Sequence, residues 1–269
     1  MTVTRIDRPG EDLSLPALDV SDEVSKKNGL VKLAALQEQL RTIQIAYRQH
    51  DLRAIIVFEG WDAAGKGGTI RRMTSVLDPR HCKVWPIGAP SPQDQGKHYL
   101  YRFWQKLPEP GSLAIFDRSW YGRVLVERIE QFADGPEVER AFGEIIEFEN
   151  LLVDDGVRLV KVFLHIDKDE QARRFERRLK DPLKRWKLTW EDIRNRERWA
   201  EYEHATENML RRTATSKAPW HVVASNDKAY TRIAAIDAIC EHLADGVDLD
   251  LPAPDKKLAK AMWDCLAAG

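Results

Sequence analysis

Gly60-Trp61-Asp62-Ala63-Ala64-Gly65-Lys66 sets two glycines and a lysine at the spacing G-x-x-x-x-G-K. The apolar run Ala54-Ile55-Ile56-Val57-Phe58 stands just before it, and a helix is predicted after it, from Lys66 to Leu77. Strand, glycine-rich turn and helix in that order make a phosphate cradle: loop N–H groups point into a concavity, the helix N-terminus adds its dipole and Lys66 adds a full charge. The phosphate contacts expected here are Gly60, Gly65, Lys66, Gly67, Gly68 and Thr69. Nucleoside-triphosphatase loops place a Ser or Thr hydroxyl after the lysine to ligate Mg²⁺. This chain has Gly67 there, with Thr69 two places late. Carboxylates must then hold the cation, and two are well placed: Asp62 inside the loop, and Asp117 after Leu113-Ala114-Ile115-Phe116. Asp62 would repel a polyanion unless a cation lay between them, although it could instead close an Asx turn. Asp117 fits a metal-binding acid at a strand end, and could also cap the next helix. Asp62, Asp117 and Lys66 form the expected reaction centre, with Asp62 and Asp117 as metal ligands.

Cations gather elsewhere. Residues 171–187 carry eight Lys/Arg against two acids, Glu176 and Asp181. Arg173/Arg177 and Arg174/Arg178 are spaced i,i+4, so neighbouring helix faces carry guanidinium groups. Asp181-Pro182 should break that helix and re-aim Lys184, Arg185 and Lys187. The bland reading is a solvated face. A one-signed run between the fourth and fifth predicted strands fits a lid better, since guanidinium groups match phosphate oxygens. A second set, Arg71, Arg72, Arg80, Lys83, Arg118 and Arg123, follows strand ends, where open α/β sheets bind ligands. Of nine tryptophans most should pack the core, but Trp61 and Tyr121 adjoin the phosphate residues and could stack on a base.

The elements that must position these groups alternate. Strands are predicted at 54–58, 84–87, 113–116, 158–166 and 221–224, and helices at 21–50, 66–77, 91–105, 119–154 (broken near 135–136), 228–245 and 254–268, with a charged helical stretch over 168–214. Strands alternating with helices imply a parallel sheet covered on both faces. The reading is therefore one α/β domain over 21–269, with a lid near 168–198. Residues 1–20, with two prolines and no periodicity, read as a flexible arm.

Bulk composition narrows the partners. Over 269 residues, 42 Lys+Arg and 43 Asp+Glu leave a net charge of -1, so no global field draws the protein to nucleic acid or membrane. Three separated cysteines and seven scattered histidines argue against a disulfide framework or a zinc site. The N-terminus has no apolar signal region and no run approaches membrane-span length, which reads as a soluble, cytoplasmic protein.

FEGWDAAGKGGTIRR, LDPR, FDRSWYGRVLVER, RFERRLKDPLKRWKL, APW and SNDK, in this order, resemble the polyphosphate kinase 2 family over residues 30–245. The resemblance implies a thymidylate-kinase-like three-layer fold with a lid; with the predicted strands and first helix the expected fold is a three-layer α/β/α P-loop kinase fold with a five-stranded parallel sheet, a helical lid and an N-terminal helical extension. It also implies phosphoryl transfer between inorganic polyphosphate and a nucleoside mono- or diphosphate, with Mg²⁺ (or Mn²⁺), often in a homo-oligomer such as a dimer or tetramer. Carried over residue by residue, it makes Asp62, Lys66, Asp117, Arg118 and Arg178 catalytic; the two basic sets themselves add Arg123, Arg174, Lys184, Arg185 and Lys187 as expected phosphate contacts. FDRSWYGRVLVER looks like the catalytic half of two-domain members that use AMP, while the single unit is like members that use diphosphates. Two rivals remain: an ATP-dependent nucleoside or nucleotide kinase of thymidylate-kinase-like fold, and a nucleotide- or RNA-binding module using the basic run.

Overall fold

The computed structural model describes residues 3–251 and 253–267. Its centre is a six-stranded sheet in the order β1-β6-β5-β2-β4-β3. The strands are β1 (Thr4–Ile6), β2 (Arg53–Gly60), β3 (Cys82–Pro86), β4 (Leu113–Asp117), β5 (Val157–His165) and β6 (Trp220–Ala224). Strands β2 to β6 run parallel, and β2, β4, β5 and β6 are almost entirely buried, which is why they read as continuous apolar runs. The helices are α1 (Lys26–Gln49), α2 (Lys66–Thr74), α3 (Tyr101–Trp104), α4 (Val126–Ile129), α5 (Gly135–Asp154), α6 (Lys168–Lys180), α7 (Trp190–Glu197), α8 (Trp199–Thr213), α9 (Lys228–Ala244) and α10 (Lys256–Ala267). On one face α9 packs against α1, α2 and the sheet; on the other, α5 packs against β5 and α8. This is the three-layer α/β/α arrangement expected.

Four expectations change. The sheet has six strands rather than five, because the N-terminal arm supplies β1, antiparallel to β6 with Thr4 opposite Val222. The arm is docked rather than flexible: Ile6 and Leu15 are buried, and the Leu15 N–H donates to Glu207 Oε1 at 2.8 Å. A three-residue edge strand is too short to show a period, so its pairing was invisible in the sequence. The helix expected over 91–105 shrinks to α3, since a Ser91–Asp94 turn and Gly96 in the left-handed region interrupt it. The long region 119–154 divides into a 3-10 turn, α4 and α5, with an Asp134/Glu137 capping box starting α5 anew. Position 268 of the predicted last helix lies outside the described residues. Among the described residues, no helix is long and apolar enough to cross a membrane.

Parallel pairing puts the ends of β2 and β4 side by side. Phe58 faces Asp117 across the ladder, and the Arg118 N–H donates to the Phe58 carbonyl at 3.0 Å. The P-loop and Asp117 therefore emerge from the same edge of the sheet.

Candidate functional site

The loop's shape depends on backbone as much as on charge. Gly60 has φ +140°, and a Cβ there would stand 2.4 Å from the Leu164 carbonyl oxygen, so only glycine lets β2 turn against β5. Gly65 (φ +127°) turns the chain into α2. The N–H groups of Gly65, Lys66 and Gly67 have no backbone acceptor among the described residues, whereas those of Gly68 and Thr69 donate to the Gly65 carbonyl. The open donors thus end at Gly67, two residues earlier than expected. Thr69, expected on phosphate, is buried with its hydroxyl on the Gly65 carbonyl at 3.3 Å. Lys66 Nζ lies on the Gly60 and Trp61 carbonyls, at 2.6 and 3.2 Å.

A cavity of about 490 Å³ opens above the loop, lined by Lys66, Gly67, Gly68, Asp117, Arg118, Arg178, Trp186 and Lys187 among others. A Cβ on Gly67 would lie 3.8 Å from Asp117 Oδ2, so the position where related loops carry a hydroxyl touches this carboxylate. Asp117 has no side-chain hydrogen bond or ion pair among the described residues. An unpaired carboxylate beside open amide donors is a donor set for a hard cation that is shared with phosphate oxygens. Asp62 differs: Oδ1 accepts from Arg118 at 3.1 Å and Oδ2 from Asn195 at 2.7 Å. Burial alone would raise its carboxyl pKa, but Lys66, Arg118 and the Asn195 bond bring it below the usual value. Arg118, in the left-handed region at φ 65°, also bonds Glu191 at 2.8 Å. Burial works against its charge, yet Asp62, Glu191 and Glu59 hold its pKa above the usual value. Among the described residues, no group of three or more His, Cys, Asp or Glu could hold a metal by itself, so phosphate oxygens would have to complete any shell.

The lid cations sort into two kinds. Arg173, Arg174 and Arg177 all pair with Glu170, at 2.9, 2.7 and 2.5 Å, while Lys180 pairs with Glu176 and Lys184 with Asp181. Glu170 is held at a pKa of about 2: burial would raise it, and these guanidinium groups overcome that. Arg178 and Lys187 have no acidic partner among the described residues, and both line the cavity. Arg174, expected on phosphate, is turned to the back of the loop. It is buried, and it donates to the Ala63, Ala64 and Asn226 carbonyls at 2.9, 2.6 and 2.8 Å, clamping the loop from behind. Lys184 and Arg185 are exposed at the outer turn, with Arg185 bonded to the Leu179 carbonyl. Neither lines the cavity.

Arg123 also departs from the P-loop group. It pairs with Glu127 at 3.1 Å, lies over the Tyr99 ring and lines a separate cavity of about 320 Å³ with Lys97, His98, Arg102 and Trp120. Trp61 and Tyr121, expected as possible base platforms, are both buried and already partnered. Trp61 is stacked on Trp199 with centroids 3.8 Å apart, and its indole N–H donates to His165 Nδ1 at 2.9 Å. Tyr121 is fully buried, its hydroxyl on Glu149 at 2.6 Å.

Several structural partners escaped the sequence reading. Glu59 is buried beside the loop, accepts from Ser119 at 2.8 Å, and burial raises its pKa despite Lys66 and Arg118. Lys161 is wholly buried on β5 and bonds Glu149 at 2.8 Å; Glu149 also takes Trp120 Nε1 at 3.0 Å and Tyr121. The lone lysine in the apolar run of β5 was a usable signal, because buried lysines need a partner. Asn195 and Glu191 had none.

The comparisons with known proteins agree with this geometry. The family model described as Polyphosphate kinase 2 matches residues 23–248. A Polyphosphate:AMP phosphotransferase of Pseudomonas aeruginosa is 46% identical over 227 residues, covering 84% of this chain and 45% of that one. An ADP-polyphosphate phosphotransferase 2 of Rhizobium meliloti is 43% identical, covering 78% of this chain and 69% of its own. The crystal structure of Polyphosphate Kinase 2 from Arthrobacter aurescens TC1 superposes with a TM-score of 0.87 at 32% identity, over 95% of this chain and 94% of that one. The chain spans about half the length of the first curated relatives it matches.

Proposed function

Because the chain belongs to the polyphosphate kinase 2 family, we propose that it moves a phosphoryl group between inorganic polyphosphate and a nucleoside mono- or diphosphate. What carries this reading is the sorting of lid cations: Arg178 and Lys187, which have no acidic partner among the described residues, line the P-loop cavity together with Lys66, while Arg173, Arg177, Lys180 and Lys184 are paired with carboxylates outside it. Terminal donor phosphates lie on the N–H groups of Gly65, Lys66 and Gly67, with Lys66 leaving its loop carbonyls for phosphate oxygen. An acceptor phosphate oxygen attacks the terminal phosphorus in line. The new P–O bond forms as the bridging P–O bond breaks, and the shortened chain leaves with the electron pair. No general base is needed, since nucleotide phosphates are ionised at neutral pH. Arg118 and Arg178 offset charge on the transferring oxygens. Asp117, with Asp62, would hold Mg²⁺ (or Mn²⁺), which when bound would supply neutralisation of phosphate charge. Arg118, now on Asp62, would turn to phosphate oxygen.

The acceptor nucleotide occupies the cavity beside Arg123 and Arg102, which adjoins the reaction centre through Ser119 and Trp120. The protein works in the cytoplasm as a homo-oligomer, a dimer or tetramer. The deciding test is transfer to AMP, ADP and GDP with Mg²⁺, comparing long-chain polyphosphate with ATP. Product from polyphosphate fixes the donor and, by which acceptor works, the subclass. Transfer from ATP alone makes the protein an ordinary nucleotide kinase.

A further inference from the structure

Helix α7 reaches into the reaction centre from the lid with two side chains one turn apart. Its start is fixed by the Thr189/Asp192 capping box, and Glu191 and Asn195, spaced i,i+4, share one face. Glu191 Oε1 accepts from Arg118 Nη1 at 2.8 Å, and Asn195 Nδ2 donates to Asp62 Oδ2 at 2.7 Å. The other arm of the Arg118 fork, Nη2, donates to Asp62 Oδ1 at 3.1 Å. Both arms of this guanidinium are therefore held by carboxylates.

The two carboxylates differ in attachment. Asp62 belongs to the P-loop at the fixed edge of the sheet, whereas Glu191 is partly exposed on the lid, 73 residues along the chain from Arg118. Phosphate oxygens use the same guanidinium fork that a carboxylate uses. An anion arriving at Arg118 must therefore replace Glu191, and the two negative groups then repel each other. Donor phosphates are already met by the loop N–H groups, Lys66, Arg178 and Lys187. Arg118 directly precedes Ser119 and Trp120, which line the cavity proposed for the nucleotide. The anion on that side is the acceptor phosphate.

We propose that Glu191 stands in for the acceptor phosphate in the empty site, holding Arg118 until a nucleotide phosphate displaces it. The proposal rests on the polyphosphate reading above. Glu191 acts through Arg118 and is a positioning residue. While it holds, the guanidinium is not free to offset charge on the transferring group, so polyphosphate bound alone is not passed to water. In that side reaction a water oxygen forms the new P–O bond as the bridging P–O bond breaks. The shortened chain leaves with the electron pair, and the water proton passes to solvent. Arrival of the acceptor releases Arg118, and with α7 withdrawn Asn195 leaves Asp62. One exchange thus ties transfer to the presence of its acceptor.

The test uses the full chain and its Glu191→Gln variant, which keeps the side-chain size and removes the charge. Phosphate release from long-chain polyphosphate without nucleotide should rise at least about fivefold. The apparent KM for the acceptor nucleotide should fall about threefold, the effect of losing a partly exposed ion pair. The KM for polyphosphate and the kcat of transfer should change by less than about twofold. Glu191→Asp, which keeps the charge, should restore part of the coupling. Glu197→Gln, at an exposed acid on the same helix, should alter neither hydrolysis nor the acceptor KM. Glu191 also lies in the first turn of α7, where an acid favours the helix dipole. A variant that only melts earlier, with unchanged hydrolysis and acceptor KM, would reduce Glu191 to that role and overturn the guard. A fall in the KM for polyphosphate in place of the acceptor would overturn the choice of phosphate. If the unaltered protein transfers nothing from polyphosphate to AMP, ADP or GDP, the functional reading fails; if it transfers and the variant hydrolyses no faster, only the guard fails.

Discussion

The base of the site and the tip of its lid are built by opposite means. At the base, charged and aromatic groups are buried and each has a defined partner: Arg174 on three carbonyls, Trp61 between Trp199 and His165, Lys161 on Glu149. At the tip, residues 182–187 and Trp190 are exposed and rest on local bonds such as Lys184–Asp181 and Arg185 to Leu179. A buried bond forgone leaves a desolvated group unpaired, whereas an exposed one is replaced by water. The fixed base can hold donor amides and Asp117 in register, while the tip can change position at little cost. That division suits a reaction that needs accurate alignment and also admission of two large anions.

The contrast can be broken most severely at Asp117. Asp117→Asn should lower turnover on the order of 10³-fold, with an unchanged melting temperature and circular dichroism spectrum. Near-normal turnover in that variant would remove the carboxylate from the reaction centre. Glu149→Ala tests the buried frame: it removes the countercharge of Lys161, which keeps only the Thr213 carbonyl and the Tyr121 hydroxyl, and should cost about 3–5 kcal/mol in denaturant unfolding. Pairing Glu149→Leu with Lys161→Met should recover much of that loss, and a double variant as unstable as the single one would contradict the explanation.

A change of pH probes the same frame more gently. Burial lowers His165, His221 and His242 to about 4, chiefly by desolvation. Between that value and the ordinary value of about 6.5, the unfolded chain binds protons that the folded chain does not. Stability is therefore complete above pH about 6.5 and is lost as the pH falls toward 4, and a melting temperature measured across that window should fall with it. A flat profile would show that these rings are solvated. At the tip the expected effects are smallest: Lys184→Ala should change stability by no more than about 0.5 kcal/mol, and a larger loss would mean that the outer turn is anchored.

The amino-acid order alone determined the strand–loop–helix cradle, the missing hydroxyl at Gly67, the acid at the end of β4, and the division into layers. These depend on local spacing and on apolar runs, which short stretches of chain display. It also located the basic run, but it could not say which cations are free. Arg174 and Arg178 have the same residue type and lie one helical turn apart, yet one clamps the loop and the other lines the cavity. Only the tertiary structure separates them, because contact with Ala63, Ala64 and Asn226 joins segments distant in the chain. The same reason hid Glu149 with Lys161, the docking of β1 on β6, and the approach of Glu191 to Arg118. A residue's chemistry can be read from its type; whether that chemistry is already satisfied within the fold is decided by neighbours that the sequence does not list side by side.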